Sequence, residues 1–119
     1  MASMDRIGYI QKEVVYTDTT SFHIGYLPPN AYIVRISVSV TTDFTDGVLD
    51  IGNATTAAAY ANDVALNGVG VKTVTPVAAT WGTVESTTDQ TEIKGIVVAT
   101  GTGLAAGAAK AIIEFAYND

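Results

Sequence analysis

Residues 27–52 read LPPNAYIVRISVSVTTDFTDGVLDIG, and the alternation in this stretch decides the fold. Pro28 and Pro29 hold the backbone in a turn and withhold two amide donors from it. From Ala31 to Thr42 the chain alternates, with Val34, Ile36, Val38 and Val40 on one side and Arg35, Ser37 and Ser39 on the other. A period of two sustained this far marks a strand with one face in a core. The four aliphatic side chains are therefore expected to be buried, and the Arg35 face to meet solvent or a neighbouring subunit. An acidic turn follows at Asp43–Gly47, and a short strand, Val48–Ile51, ends on Gly52. The long strand belongs near the middle of a small β-sandwich.

Upstream, Arg6–Thr17 predicts a first strand with Ile10, Val14 and Tyr16 on one face. The shift in alternation near Gly8 or Lys12 would accommodate a bulge. Asp18–Ser21 is a turn by composition, and Phe22–Leu27 a second strand. Downstream, Asn53–Asn62 (NATTAAAYAN) holds enough alanine for one or two helical turns, capped by Asn53 or Thr55. Asp63–Thr75 predicts one or two short strands, the better being Val71–Thr75. Pro76–Gly82 carries the single tryptophan, Trp81, and Thr83–Gln90 is a polar loop. Thr91–Thr100 is a strand, Gly101–Gly107 a glycine-rich hairpin turn, and Ala108–Tyr117 a closing strand with Ile113, Phe115 and Tyr117 on one face. Roughly seven to nine short strands without a long helix predict an all-β chain. The expected architecture is a single-domain antiparallel β-sandwich, jelly-roll-like, with at most one short helical segment. It spans residues 6–119 behind a flexible N-terminal lead, residues 1–5.

Composition narrows function by exclusion. The 119 residues carry six Lys and Arg against twelve Asp and Glu, a formal charge of −6. Phosphate binding needs clustered cations, so nucleic acid is not an expected partner. Charged residues make up only 15% of the chain, well below the usual quarter, which suits a protein covered in part by other protein. No apolar run approaches the ~20 residues of a membrane span, so no membrane partner is expected. Cysteine is absent, which removes disulfides and thiolate metal sites. Met1–Ile10 has neither a basic nor an apolar signal region, so synthesis in the cytoplasm is expected.

No chemistry-bearing set emerges, and no catalytic, cofactor-binding or metal-ligating residue is assigned. His23, the single histidine, has only Ser21 near it, and strand neighbours two apart merely share a face. Asp43, Asp46 and Asp50 resemble an oxygen-ligand cluster, but their spacing does not match a calcium loop. They fit a β-turn in which Asp46-Gly47 supplies the special backbone angles. GTGLAAG at 101–107 has one residue too many for a dinucleotide fingerprint and precedes a strand. Trp81, Tyr60, Tyr26, Tyr9 and Tyr32 would make a sugar-stacking surface only if they clustered; core packing or a subunit interface suits them better. Glu85, Glu92 and Glu114 form no recognisable acid–base pair. The chain is expected not to be an enzyme and to need no cofactor.

The order of LPPNAYIVRISVSVTTDF, VLDIGN, TTAAAYANDVAL and IKGIVVATGTGLAAGAAKAIIEFAY resembles small β-sandwich virion proteins of tailed bacteriophages. These include head decoration (cement) proteins and related tail-knob or fibre-associated proteins, and the resemblance covers Phe22–Tyr117. It implies a jelly-roll-like structural protein on the capsid surface of a virion. Its partners would be the major capsid protein or other virion subunits, and a homo-oligomer, a trimer by preference. A tail-knob or fibre module, or a carbohydrate-binding adhesin, is the alternative. The family brings no catalytic residues with it. The N-terminal lead and the Pro76–Gln90 loop are the expected contact regions, on exposure.

Overall fold

A computed structural model describes residues 5–75, 77 and 80–118. Eight strands run in chain order: β1 (Asp5–Val15), β2 (Phe22–Leu27), β3 (Ala31–Thr42), β4 (Gly47–Gly52), β5 (Ala61–Ala65), β6 (Gly70–Thr73), β7 (Thr91–Ala99) and β8 (Ala108–Asn118). They form two antiparallel four-stranded sheets, in the orders β1-β8-β3-β6 and β2-β7-β4-β5. Successive strands alternate between the sheets everywhere except at β4–β5, so nearly every connection crosses from one layer to the other. That winding of eight strands into two layers is a jelly roll. The expected all-β sandwich is therefore present.

The core fills from both layers. Ile33, Ile36, Val38 and Ile113 of the first sheet meet Leu49, Ile51, Ile93 and Val97 of the second, and all are essentially inaccessible. Phe44 and Tyr60, also fully buried, belong to the connections. The two layers come close enough on one side that a Cβ on Gly25 of β2 would lie 2.7 Å from Ile10 of β1. At Gly107 the backbone has φ +153°, and a Cβ there would sit 2.5 Å from the Phe44 ring. No other residue fits that combination of angle and space.

The long central strand differs from its expected phase at one end. β3 is flanked by β8 and β6, but its pairing with β8 skips a residue between Ile33 and Arg35. Val34 is the extra residue of a bulge and is 39% exposed. The bulge switches faces: Ala31 and Ile33 point inward before it, and Ile36, Val38 and Val40 after it. Three of the four expected core residues are buried, and Ile33 takes the place assigned to Val34.

Three further expectations change. β1 pairs with β8 without interruption from Asp5 to Val15, so no bulge occurs at Gly8 or Lys12. Val14 is buried and Ile10 packs on the core, whereas Tyr16 lies past the strand and is exposed. Among the described residues no helix forms over 53–62. Asn53 does act as a cap, its Oδ1 accepting from the amides of Thr55 and Thr56. However, the Asn53 amide donates back to Thr56 O, and the Tyr60 amide to Ile51 O, which turns the chain into β5 after a single bend. Finally, the 101–107 segment is no hairpin, because β7 and β8 lie in different sheets. Of the expected lead, Asp5 begins β1 and residues 1–4 lie outside the described residues.

Candidate interaction surfaces

The residues with chemical potential are spread over the sandwich. His23 on β2 pairs with Glu92 on β7, Nδ1 to Oε2 at 2.7 Å, and its ring tilts against Tyr26 with centroids 4.8 Å apart. Both side chains are substantially exposed on the outer face of the second sheet. Glu114 faces Arg35 at 3.5 Å on the outer face of the first sheet, the opposite side of the molecule. Glu85 belongs to the β6–β7 connection near Tyr60. Three carboxylates in three places make no acid–base pair. Among the described residues no three His, Asp or Glu side chains converge on a point that would hold a metal ion. No helix among them is long and apolar enough to cross a membrane.

The three aspartates of the 43–50 stretch each accept from a backbone amide elsewhere in the chain. Asp43 Oδ1 accepts from Thr45 N and, across the chain, from Gly68 N, both at 2.9 Å. Asp46, with φ +62°, accepts from Gly103 N through Oδ2 at 2.8 Å and from Thr100 N through its carbonyl at 2.7 Å. Asp50 Oδ1 accepts from Asp63 N. Asp43 thus joins the β3–β4 and β5–β6 connections, and Asp46 joins β3–β4 to β7–β8. The glycine-rich string is explained by the same contact. A Cβ on Gly101 or Gly103 would come within 3 Å of the Asp46 carboxylate, so two glycines let a loop close around an acid. Sequence spacing could not reveal this, because donor and acceptor lie 57 residues apart.

The opposite end of the sandwich is closed by the long β6–β7 connection. Trp81 Nε1 donates to Tyr60 O at 2.7 Å, Thr80 Oγ1 to Ala59 O at 2.6 Å, and Gly82 N to Ile33 O at 3.0 Å. Asn30 N donates to Ser86 O at 2.8 Å, fixing the loop's far limb. The Trp81 ring packs against the core, and Tyr60 is buried beneath it. Burial pushes the Tyr60 hydroxyl up to about 12, the Asn53 hydrogen bond pulls it back, and the Glu85 carboxylate nearby raises it again. Tyr9 lies on the first sheet's outer face and Tyr26 on the second's, so the five aromatics do not assemble into one platform. Of the expected contact loop, residues 76, 78 and 79 lie outside the described residues. The remainder is a stapled surface with Thr83–Glu85 and Thr87–Gln90 outermost.

Two broad faces remain. That of β1-β8-β3-β6 presents Ile7, Tyr9, Val34 and Ile112 with the Arg35–Glu114 pair among them. That of β2-β7-β4-β5 presents His23, Glu92, Lys94 and Asp50. A hollow of about 430 Å³ lies between the edges of β5 and β6, lined by Asp63, Val64, Val71 and Thr73 among others. Its single lysine, Lys72, is held by the Asn67 carbonyl, and no second acid stands opposite Asp63.

No family model matches the sequence, and no curated protein matches it. Solved structures do match. A chain in the cyanophage Pam1 capsid asymmetric unit aligns with a TM-score of 0.62 at 16% identity, over 97% of this chain and 86% of that one. A chain in the acidic stable capsid structure of Helicobacter pylori bacteriophage KHP30 aligns with a TM-score of 0.58 at 12% identity, over 99% of this chain and 94% of that one. The resemblance to small β-sandwich proteins of phage particles therefore extends to a shared fold.

Proposed function

We propose that this chain is a non-enzymatic virion structural protein, a head decoration (cement) protein that binds the outside of a phage capsid and stabilises it through subunit contacts. The observation that carries this reading is the jelly roll itself, shared end to end with chains found in two phage capsids. The surface supports it. Acidic side chains are spent on pinning loops, Trp81 is spent on closing one end, and the outer sheet face carries unburied aliphatic and aromatic groups. A protein of this kind works by rigidity and number: each copy adds a modest contact, and a symmetric shell multiplies it. The resemblance favours a homotrimer as the unit that docks.

The test is made on particles. Virions stripped of the protein by mild chelation or denaturant, then incubated with the purified chain, are expected to rebind it and to release their DNA at a higher temperature than stripped particles. Failure to rebind, with no change in release temperature, rejects the cement reading. Binding to tails alone moves the chain to the knob or fibre class.

A further inference from the structure

A sandwich of two four-stranded sheets has four edge strands, here β1, β6, β2 and β5. Free edges invite pairing with other chains, and folds usually blunt them by shortness, bulges or turns of the backbone. Three of these edges are blunted. β6 has four residues, β2 breaks register between His23 and Gly25, and β5 is irregular around Asp63, whose φ is +53°. β1 is not. It runs for 11 residues in unbroken register and contains no proline.

The hydrogen bonds at its end show which main-chain groups are offered. Val15 N donates to Asp18 Oδ2 and Val15 O accepts from Asp18 N, both on the side away from β8. The next amide, Tyr16 N, donates to Gly107 O on the β8 side. Strand geometry alternates, so Glu13, Gln11, Tyr9 and Ile7 direct their amides and carbonyls to the same free side as Val15. Asp18 occupies the Val15 position, which leaves residues 7–13 as the open stretch. Its midpoint is Ile10.

We infer that β1 is where a second copy of this chain continues the sheet, through antiparallel pairing of the two β1 strands about a two-fold axis at Ile10. That register pairs Ile7 with Glu13 of the second copy and Tyr9 with Gln11, and the reciprocal pairs complete it, so every open residue from 7 to 13 is used and only Asp5 falls opposite the occupied Val15. Neighbouring registers fail on named groups. An axis at Tyr9 would oppose Arg6 to Lys12, like charge to like. An axis at Gln11 would require Val15, which Asp18 already holds. The exposed side chains agree with the choice: Ile7 is 52% and Tyr9 61% exposed, and the two Tyr9 rings would lie diagonally across the axis. Ile10, half-buried at the sheet's rim, would meet its own copy. β1 also carries Asp5 and Glu13 against Arg6 and Lys12, so two copies of a strongly acidic chain can meet there without net repulsion. The inference does not depend on the virion reading. If a threefold contact also forms elsewhere on the chain, this pairing would link one trimer to the next.

The purified full-length chain tests it, by sedimentation velocity and amide hydrogen exchange from low micromolar to about 0.5 mM. A dimer is expected at the upper end. In it the Ile7, Tyr9, Gln11 and Glu13 amides exchange about tenfold or more slowly than in the monomer, while Gly8, Ile10 and Lys12 are protected in both. Gln11→Pro removes a donor aimed at the free side and spares the ladder to β8. It should raise the dimer dissociation constant more than about tenfold and keep the wild-type far-ultraviolet spectrum. Tyr9→Lys, an outward substitution the fold can accept, should do the same and serves if the proline variant does not fold. A chain that stays monomeric at the highest concentration overturns the inference. So does an oligomer whose four amides exchange as in the monomer, or one that Tyr9→Lys leaves intact. Because the readout needs no particle, it can fail while the capsid reading stands, and the reverse.

Discussion

The two sheets bury the same kinds of side chain and differ in what they turn outward. Strands of β1-β8-β3-β6 are mostly long, with β3 twice out of step with β8, and they hold Arg6, Lys12, Arg35, Lys72 and Lys110 against Asp5, Glu13 and Glu114, a formal +2. Strands of β2-β7-β4-β5 are shorter, with bulges in β2 and β5, and hold Lys94 against Asp50, Asp63 and Glu92, a formal −2. The first outer face carries exposed Ile7, Tyr9, Val34 and Val71 beside the Arg35–Glu114 pair, while the second carries exposed Tyr26 and Val98 beside the His23–Glu92 pair. The first layer thus turns more apolar side chains outward than the second. A fold that alternates its chain between layers can give them different characters only through outward positions, since the inward ones must match.

The largest effect should come from the first sheet, where the bulge makes neighbouring positions unequal. Ile36→Asp places a charge without a partner in the core and should abolish soluble folding, at a cost of about 5 kcal/mol or more. Val34→Asp, two residues earlier, lands on the outer side of the bulge and should cost within about 1 kcal/mol. Soluble yield and chemical denaturation compare them; equal losses would mean that β3 has no bulge.

Tyr60, where the second sheet's end is sealed, should show itself at high pH. Its folded hydroxyl titrates near 12 against 10 when unfolded, so the stability it contributes is complete below pH 10 and is lost as pH rises through 12. That loss is about 2–3 kcal/mol. Urea titrations at both pH values should show it in the wild type and not in Tyr60→Phe, which also subtracts the titration of other groups.

Asp46 holds two of the crossings between layers. Asp46→Ala strands the Gly103 amide and should cost about 1–2 kcal/mol, seen as a lower Tm and faster exchange of that amide. An unchanged Tm would mean that the loop does not need its pin. The smallest effect belongs to the ionic face. His23→Gln removes an exposed pair and should shift stability by less than about 1 kcal/mol; a larger loss would show that the second sheet depends on it.

Much of this fold is legible in the chain, because the alternation of 36–40 and 111–115 needs no partner to be recognised. The bulge was harder to see, since Ile33 and Val34 are adjacent and apolar and satisfy either phase. Only the register against Phe115 and Glu114 decides between them. The helical turns that alanine would allow at 53–62 do not form for a similar reason: alanine-rich propensity is weak beside a turn that returns the chain to Ile51. The roles of Asp43 and Asp46 depend on glycine amides 25 and 57 residues away, beyond any local pattern. The low charge content foreshadows an outer surface with apolar groups, but which strands carry them follows from the sheet order alone.

Copy number in purified particles tests the central claim most directly. Quantitative mass spectrometry of virions, calibrated on the major capsid protein, should find this chain in hundreds of copies per particle, in fixed ratio to the shell. A count near a dozen, or its absence from particles that carry every other structural protein, would contradict the account.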